Sequence, residues 1–219
     1  MNNWKIKSLY YGKITLPKSA IDGGIDTDLI LDFPYTGYLL QNGLQNILVD
    51  TGIHEDNIVD GKAWGGYPAE GGSKYVLEAL EKEGLTPKDI DTVIYTHLHN
   101  DHAGCALLFP EAATYYQKDE YLNLINPLPT QKIRSDFDKR TPGDLAQLKN
   151  HCIVDGDFEM PNGLKLYKLP GHTLGSMGIV VPTQEGKYVI TGDIPHLGIS
   201  LFPKTDKMQL LAGTYVDIT

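Results

Sequence analysis

The stretch Thr96-His97-Leu98-His99-Asn100-Asp101-His102-Ala103-Gly104 puts four metal-donor side chains within six positions. It follows directly on an apolar, β-rich run at residues 92–95. Residues two apart at a strand end point to one side, so His97 and His99 can face a common point. Asp101 and His102 come next, where a bend in the chain aims them at a second point close by. Imidazole nitrogen and carboxylate oxygen are donors for Zn²⁺ and other first-row divalent ions. With 7 histidines in 219 residues, three at these offsets arise by chance in about 0.007 of such chains. Metal binding is therefore preferred over a solvated, histidine-rich turn.

Such a cluster suits hydrolysis. One bound Zn²⁺ lowers the pKa of water from 15.7 to about 7, and a neighbouring ion can share that water and polarise a carbonyl. No nucleophilic serine or cysteine is then required, and the chain has no Gly-x-Ser-x-Gly element. Asp101 is the candidate for proton transfer to a leaving oxygen as well as for metal ligation.

These residues need elements to hold them. Residues 4–13 partly alternate and read as an opening strand. Residues 35–41 and 44–49 are apolar runs flanking Asn42-Gly43, a strong hairpin signal. A helix is expected over 73–83, with Val76, Leu77 and Leu80 on one face and Gly84 as its stop. Thr86-Pro87 reads as a cap followed by proline at a first helical position. Further helices are expected at 118–126 and 142–150, and strands at 164–169, 178–181 and 187–190. Mixed strands and helices with hairpins point to sheets covered by helices, in an α/β domain. Nothing resembles a linker, so residues 1–219 are read as one domain.

Composition narrows the partners. Hydrophobic residues make up 41% and charged residues 21%, which is globular. A net charge of −9 argues against nucleic acid or an anionic membrane as partner. No apolar run reaches the roughly 18 residues a membrane span needs. Two cysteines, Cys105 and Cys152, cannot build a disulfide framework, and no signal-peptide pattern opens the chain. A cytoplasmic location is the expectation.

The pattern His-x-His-x-Asp-His resembles the metallo-β-lactamase superfamily of metallo-hydrolases. Three further landmarks occur in that family's order: Asp50-Thr51-Gly52 after an apolar run, Pro170-Gly171-His172-Thr173 downstream, then Thr191-Gly192-Asp193. The resemblance implies an αβ/βα four-layer sandwich, with two mixed β-sheets face to face and helices on the outer faces. It implies that His97, His99 and His172 hold a first ion, that Asp101 and His102 hold a second, and that Asp193 bridges them. The cofactor implied is two divalent ions, zinc first and manganese, iron or cobalt as alternatives. Asp50 is expected to orient the metal-binding loops by hydrogen bonds rather than to ligate. Cys105 is expected to be a small buried side chain, and His54 and His151 lack metal-like spacing.

Within the superfamily the chain is most similar to the N-acyl-homoserine lactonase-like branch. Leu98 is the single residue between the first two histidines, and a long segment separates Asp-Thr-Gly from the histidine motif. Lactonases of that branch tend to carry tyrosine three residues after the bridging aspartate; here that residue is His196, expected to contact substrate. A histidine well after the bridging aspartate completes the second site in most of the superfamily. Only 26 residues follow Asp193 here, without a Gly-His pair, so a C-terminal segment is expected to be missing. The expected activity is opening of a lactone or related small-molecule ester. A thioesterase resembling glyoxalase II and a non-catalytic metal-binding relative are the alternatives.

Overall fold

The computed structural model describes residues 3–21, 27–134 and 137–194. Two long strands, β1 (Lys5–Pro17) and β2 (Ile30–Gln41), pair antiparallel, and β3 (Asn46–Val49) returns against β2. The turn between β2 and β3 is a residue or two longer than the Asn-Gly signal suggests. The Asn42 Oδ1 accepts from Leu44 N at 2.9 Å and Gln45 N at 2.8 Å, which delays pairing until Asn46. Leu44, expected in the strand, is instead 90% exposed at the tip.

From β3 the sheet continues in parallel through β5 (Thr92–Ile94), β6 (Ala113–Gln117) and β7 (Asn150–Val154). The short strand β4 (Ala69–Glu70) closes the other edge against β1, giving a mixed seven-stranded order β4-β1-β2-β3-β5-β6-β7. The second sheet is antiparallel, in the order β11-β10-β9-β8. Its strands are β8 (Phe158–Glu159), β9 (Lys165–Lys168), β10 (Met177–Thr183) and β11 (Gly186–Ile190).

Two of the expected helices are present, as α1 (Ser73–Lys82) and α3 (Lys118–Ile125). A third, expected over 142–150, stops far short: α5 spans only Thr141–Leu145, and Asn150 opens β7. The C-terminal part of the expected helix is drawn away by non-local partners: Lys149 N donates to Pro110 O at 3.1 Å, and residues 150–154 pair with all five residues of β6, contacts that override local helix preference. Among the described residues the other α-helices are α2 (Asn100–Ala103) and α4 (Pro129–Arg134).

Two apolar layers hold this arrangement. Leu40, Ile47, Val49 and Ile94 face Leu166, Met177, Ile179 and Val181 between the sheets. On the opposite face of the first sheet, Leu39, Leu48 and Val93 pack with Val76 and Leu80 of α1 and Leu124 of α3. Strands buried on both faces read as unbroken apolar runs, as Ile47-Leu48-Val49 and Val93-Ile94 do. The result is a sandwich of two sheets with described helices on the outer face of the first. Leu166→Ala, between the sheets, is expected to cost about 2–5 kcal/mol in urea unfolding, whereas Leu44→Ala should stay within about 0.5 kcal/mol. Equal costs would contradict the core assignment.

Candidate metal centre

Parallel pairing brings the ends of β3 and β5 to one edge, where the Asp50 N–H donates to Ile94 O at 3.0 Å. The chain leaves β3 through Asp50 and β5 through Tyr95 and Thr96. The second sheet is tied to the same edge, because Met177 N, at the start of β10, donates to Thr96 O at 2.7 Å. His172 lies in the loop before β10, and Asp193 follows the end of β11 beside it. Four segments distant in sequence therefore converge.

The two loops of the first sheet are laced together. Thr51 N and Oγ1 both donate to His102 O, at 2.6 and 3.0 Å, and Gly104 N donates to Gly52 O at 2.9 Å. At Gly104 a Cβ would stand 2.4 Å from His54 N and 2.5 Å from Asn100 O; only glycine permits this approach. Asp50 itself adopts φ 60°, an uncommon conformation for a residue with a side chain, and aspartate is among the residues that tolerate it best.

That conformation buries a carboxylate. Asp50 Oδ1 accepts from Thr96 N at 2.8 Å, and Oδ2 accepts from Thr96 Oγ1 at 2.7 Å and from His102 Nδ1 at 2.8 Å. An ionised carboxylate only accepts, so His102 Nδ1 carries the proton and its Nε2 faces the site with a lone pair when the ring is neutral. The same logic reaches His97. Thr96 Oγ1 gives its hydrogen to Asp50 and so must accept from His97 Nδ1, 3.1 Å away, which leaves His97 Nε2 as the open donor. Outer carboxylates and hydroxyls commonly set the tautomer of ligating histidines in this manner.

Two groups of donor atoms result. His97, His99 and His172, all buried, form one; His97, His102 and Asp193 form the other, with the atoms of each group within 4.8 Å of one another. His97 Nε2 and His172 Nε2 lie 3.1 and 3.0 Å from His99 Nδ1. Nitrogens bound to one tetrahedral Zn²⁺ at about 2.0–2.1 Å stand about 3.4 Å apart, so the spacing fits a small divalent ion. Asp193 reaches both groups, at 3.2 Å from His102 Nε2 and 3.5 Å from His172 Nε2. Asp101 stands at the margin, 3.9 Å from His102 Nε2 and a third exposed. His196 lies outside the described residues, as does the tail after it.

The electrostatics also suit a cation. Burial, then the neighbouring His102, His99 and His172, holds the His97 pKa well below the usual imidazole value, so the ring is neutral, as a ligand must be. Burial acts in the same direction on His102, but Asp193, Asp50 and Asp101 outweigh it and raise its pKa well above the usual value. Phe137 meets His99 edge-on, with ring centroids 4.8 Å apart, and shields it.

Several neighbours had no role in the sequence reading. Tyr35 and Tyr38 line the cavity beside Asp101 and Asp193; burial first, then Asp101, pushes the Tyr35 phenol well above its ordinary range, so it remains a donor. Glu120 contacts both histidine loops. Cys105 is buried, and its thiol, pushed up to about 12 by burial, donates to Ile53 O. His54 pairs with Arg140 at 2.7 Å and His151 with the Tyr116 hydroxyl at 3.0 Å, both away from the donor groups.

The Asp50 network yields a test. Asp50→Asn keeps shape and tolerates positive φ, but it replaces one accepting oxygen by a donating NH₂ where three donors converge. It is expected to remain folded and to bind metal about 10–100-fold more weakly, read by chelator competition. Wild-type affinity in that variant would remove Asp50 from the support of the donors.

Comparison with known proteins agrees with this geometry. The profile of the metallo-beta-lactamase superfamily matches residues 31–204. An N-acyl homoserine lactonase of Bacillus cereus is 27% identical over 195 residues, covering 84% of this chain and 74% of its own. The N-acyl homoserine lactonase AiiB of Agrobacterium fabrum is 32% identical over 197 residues, covering 84% and 71%. A solved N-acyl homoserine lactone hydrolase, with the product N-hexanoyl-L-homoserine at its catalytic metal centre, superposes with a TM-score of 0.80. It is 25% identical, and the match covers 97% of this chain and 83% of that one. The fold, the ordered motifs and these matches together mean that the chain belongs to the metallo-β-lactamase superfamily.

Proposed function

We propose that this protein is a metal-dependent hydrolase that opens lactones with a metal-activated water, N-acyl homoserine lactones being the substrate class. The observation that carries this reading is a cavity of about 420 Å³ lined by two unlike sets of side chains. His99, Asp101, His102, His172 and Asp193 line it with metal donors, and Ile14, Leu16, Ile21, Phe33 and Trp64 line it with apolar surface. A polar reacting centre beside an apolar wall matches a substrate with a polar lactone head and an acyl tail. The relatives and the solved structure described above act on that class by name.

In this reading His97, His99 and His172 would hold one divalent ion, and His102 and Asp101 a second, with Asp193 between them. The donor set of neutral nitrogens and carboxylates suits zinc first, with manganese, iron or cobalt as alternatives. Such ions, when bound, supply Lewis acidity and a nucleophilic water at neutral pH. Asp101, at the cavity margin, would carry a proton towards the leaving oxygen. The protonated Tyr35 hydroxyl, in the lining of the same cavity, would offer a hydrogen bond to the substrate carbonyl. His196 is assigned a substrate contact on motif position alone. The apolar wall takes the acyl chain and keeps bulk water away.

The location proposed is the cytoplasm, on the strength of Cys105 and Cys152 both being free thiols. No described helix is long and apolar enough to cross a membrane.

The test is a turnover panel of N-acyl homoserine lactones, simple lactones, open-chain esters and thioesters, paired with metal analysis of the purified protein. Lactone turnover should vanish on chelation and return with Zn²⁺. His97→Ala and His172→Ala should each lose at least about 100-fold in activity together with bound metal. Asp101→Asn should lose turnover more than metal. Thioester turnover without lactone turnover would replace this reading with the glyoxalase II-like one.

A further inference from the structure

Glu120 belongs to neither donor group, yet it is completely buried, in the first turn of α3. Taking a carboxylate out of water costs several kcal/mol unless its oxygens are satisfied. Here they are, and the donors come from only two places. Oε1 accepts from Leu98 N at 2.8 Å. Oε2 accepts from Thr173 Oγ1 at 2.5 Å and Gly175 N at 3.0 Å.

The positions of those donors matter. Leu98 is the residue between His97 and His99, and Thr173 directly follows His172. One carboxylate thus grips the two loops that supply all three imidazoles of the first group, although the loops are more than seventy residues apart in sequence. The contact is close as well as polar. A Cβ at Gly175 would stand 2.1 Å from Glu120 N, so α3 presses on that loop with no room for a side chain. Thr173 is further fixed by Ser176, whose Oγ lies 3.0 Å from Thr173 N and 2.7 Å from its Oγ1.

We propose that Glu120 is a positioning residue that holds the His97–His99 loop and the His172 loop in register, so that the three-imidazole set is formed before metal arrives. The proposal rests on the reading of those histidines as donors to one ion. Without the link, each loop would have to be ordered on binding, and that entropy would be subtracted from metal affinity.

Glu120→Gln is the direct test, because it preserves volume while changing the pattern of acceptors. A glutamine has one accepting oxygen and one donating NH₂, so it can satisfy Leu98 or the Thr173–Gly175 side, not both. Thr173→Val, which removes one donor, is a milder second variant. First-site affinity is measured by competition with a chromophoric chelator, and donor geometry by the visible absorption of the Co²⁺-substituted protein. Leu80→Ala, a core truncation in α1, sets the baseline for destabilisation alone and should leave both readouts unchanged.

Glu120→Gln is expected to bind the first ion about 10–100-fold more weakly with an altered Co²⁺ spectrum, and Thr173→Val to shift both in the same direction. A folded Glu120→Gln protein with wild-type affinity and spectrum would overturn the proposal while leaving the donor assignment intact. If that variant does not fold, Thr173→Val decides in the same terms. Unchanged metal binding in His97→Ala would instead overturn the donor assignment and the proposal with it.

Discussion

A set of imidazoles sunk at a sheet edge is held in place where outer ring nitrogens and the nearby carboxylates find partners away from water. Buried polar groups left unpaired cost about 1–3 kcal/mol each, and charged ones more. Asp50 meets this constraint on one side. Its carboxylate takes the Thr96 amide, the Thr96 hydroxyl and the His102 ring in one place. Glu120 meets it on the other, taking the Leu98 amide and the Thr173–Gly175 turn. With these partners in place, the inner nitrogens of His97 and His102 are turned towards the cavity.

The sandwich makes the convergence possible. Parallel β3 and β5 end together, so Asp50 and the His97 loop emerge side by side. The antiparallel pairing of β10 and β11 brings His172 and Asp193 to one end of the second sheet. The bond from Met177 N to Thr96 O joins the two ends. The sheets need only bury apolar side chains to achieve this, and they leave the polar chemistry to residues just beyond the strand ends, where ligands of open α/β sheets are commonly found. The cavity inherits its mixed lining from this division, donors from beyond the strand ends and apolar residues from the long β1–β2 hairpin and Trp64.

The donor residues were legible because their types and spacing are rare. Three histidines and an aspartate within six positions carry chemistry whatever surrounds them, and ordered landmarks located His172, Asp193 and Asp50. The major strands were legible for a related reason, since apolar runs bounded by turn residues have few other readings. Local signals failed where pairing partners were distant. Asn150 reads as a helix end until β6 is beside it. Asn42 lengthens its turn through a side-chain bond that the Asn-Gly pair alone does not announce.

The sequence by itself determined which groups are available: neutral nitrogens, carboxylates, and apolar strands to carry them to an edge. Tertiary structure alone decided how those groups are held. Glu120 reads as an ordinary acidic residue in the first turn of a helix, and Tyr35 as one aromatic in a strand. Their significance lies in donors 22 and 55 residues away for Glu120 and in a cavity wall shared with Asp101 for Tyr35. Spacing reports which side chains a short segment can present together. The partners that orient them arrive from other segments, and only the packed sheets bring those within hydrogen-bonding distance.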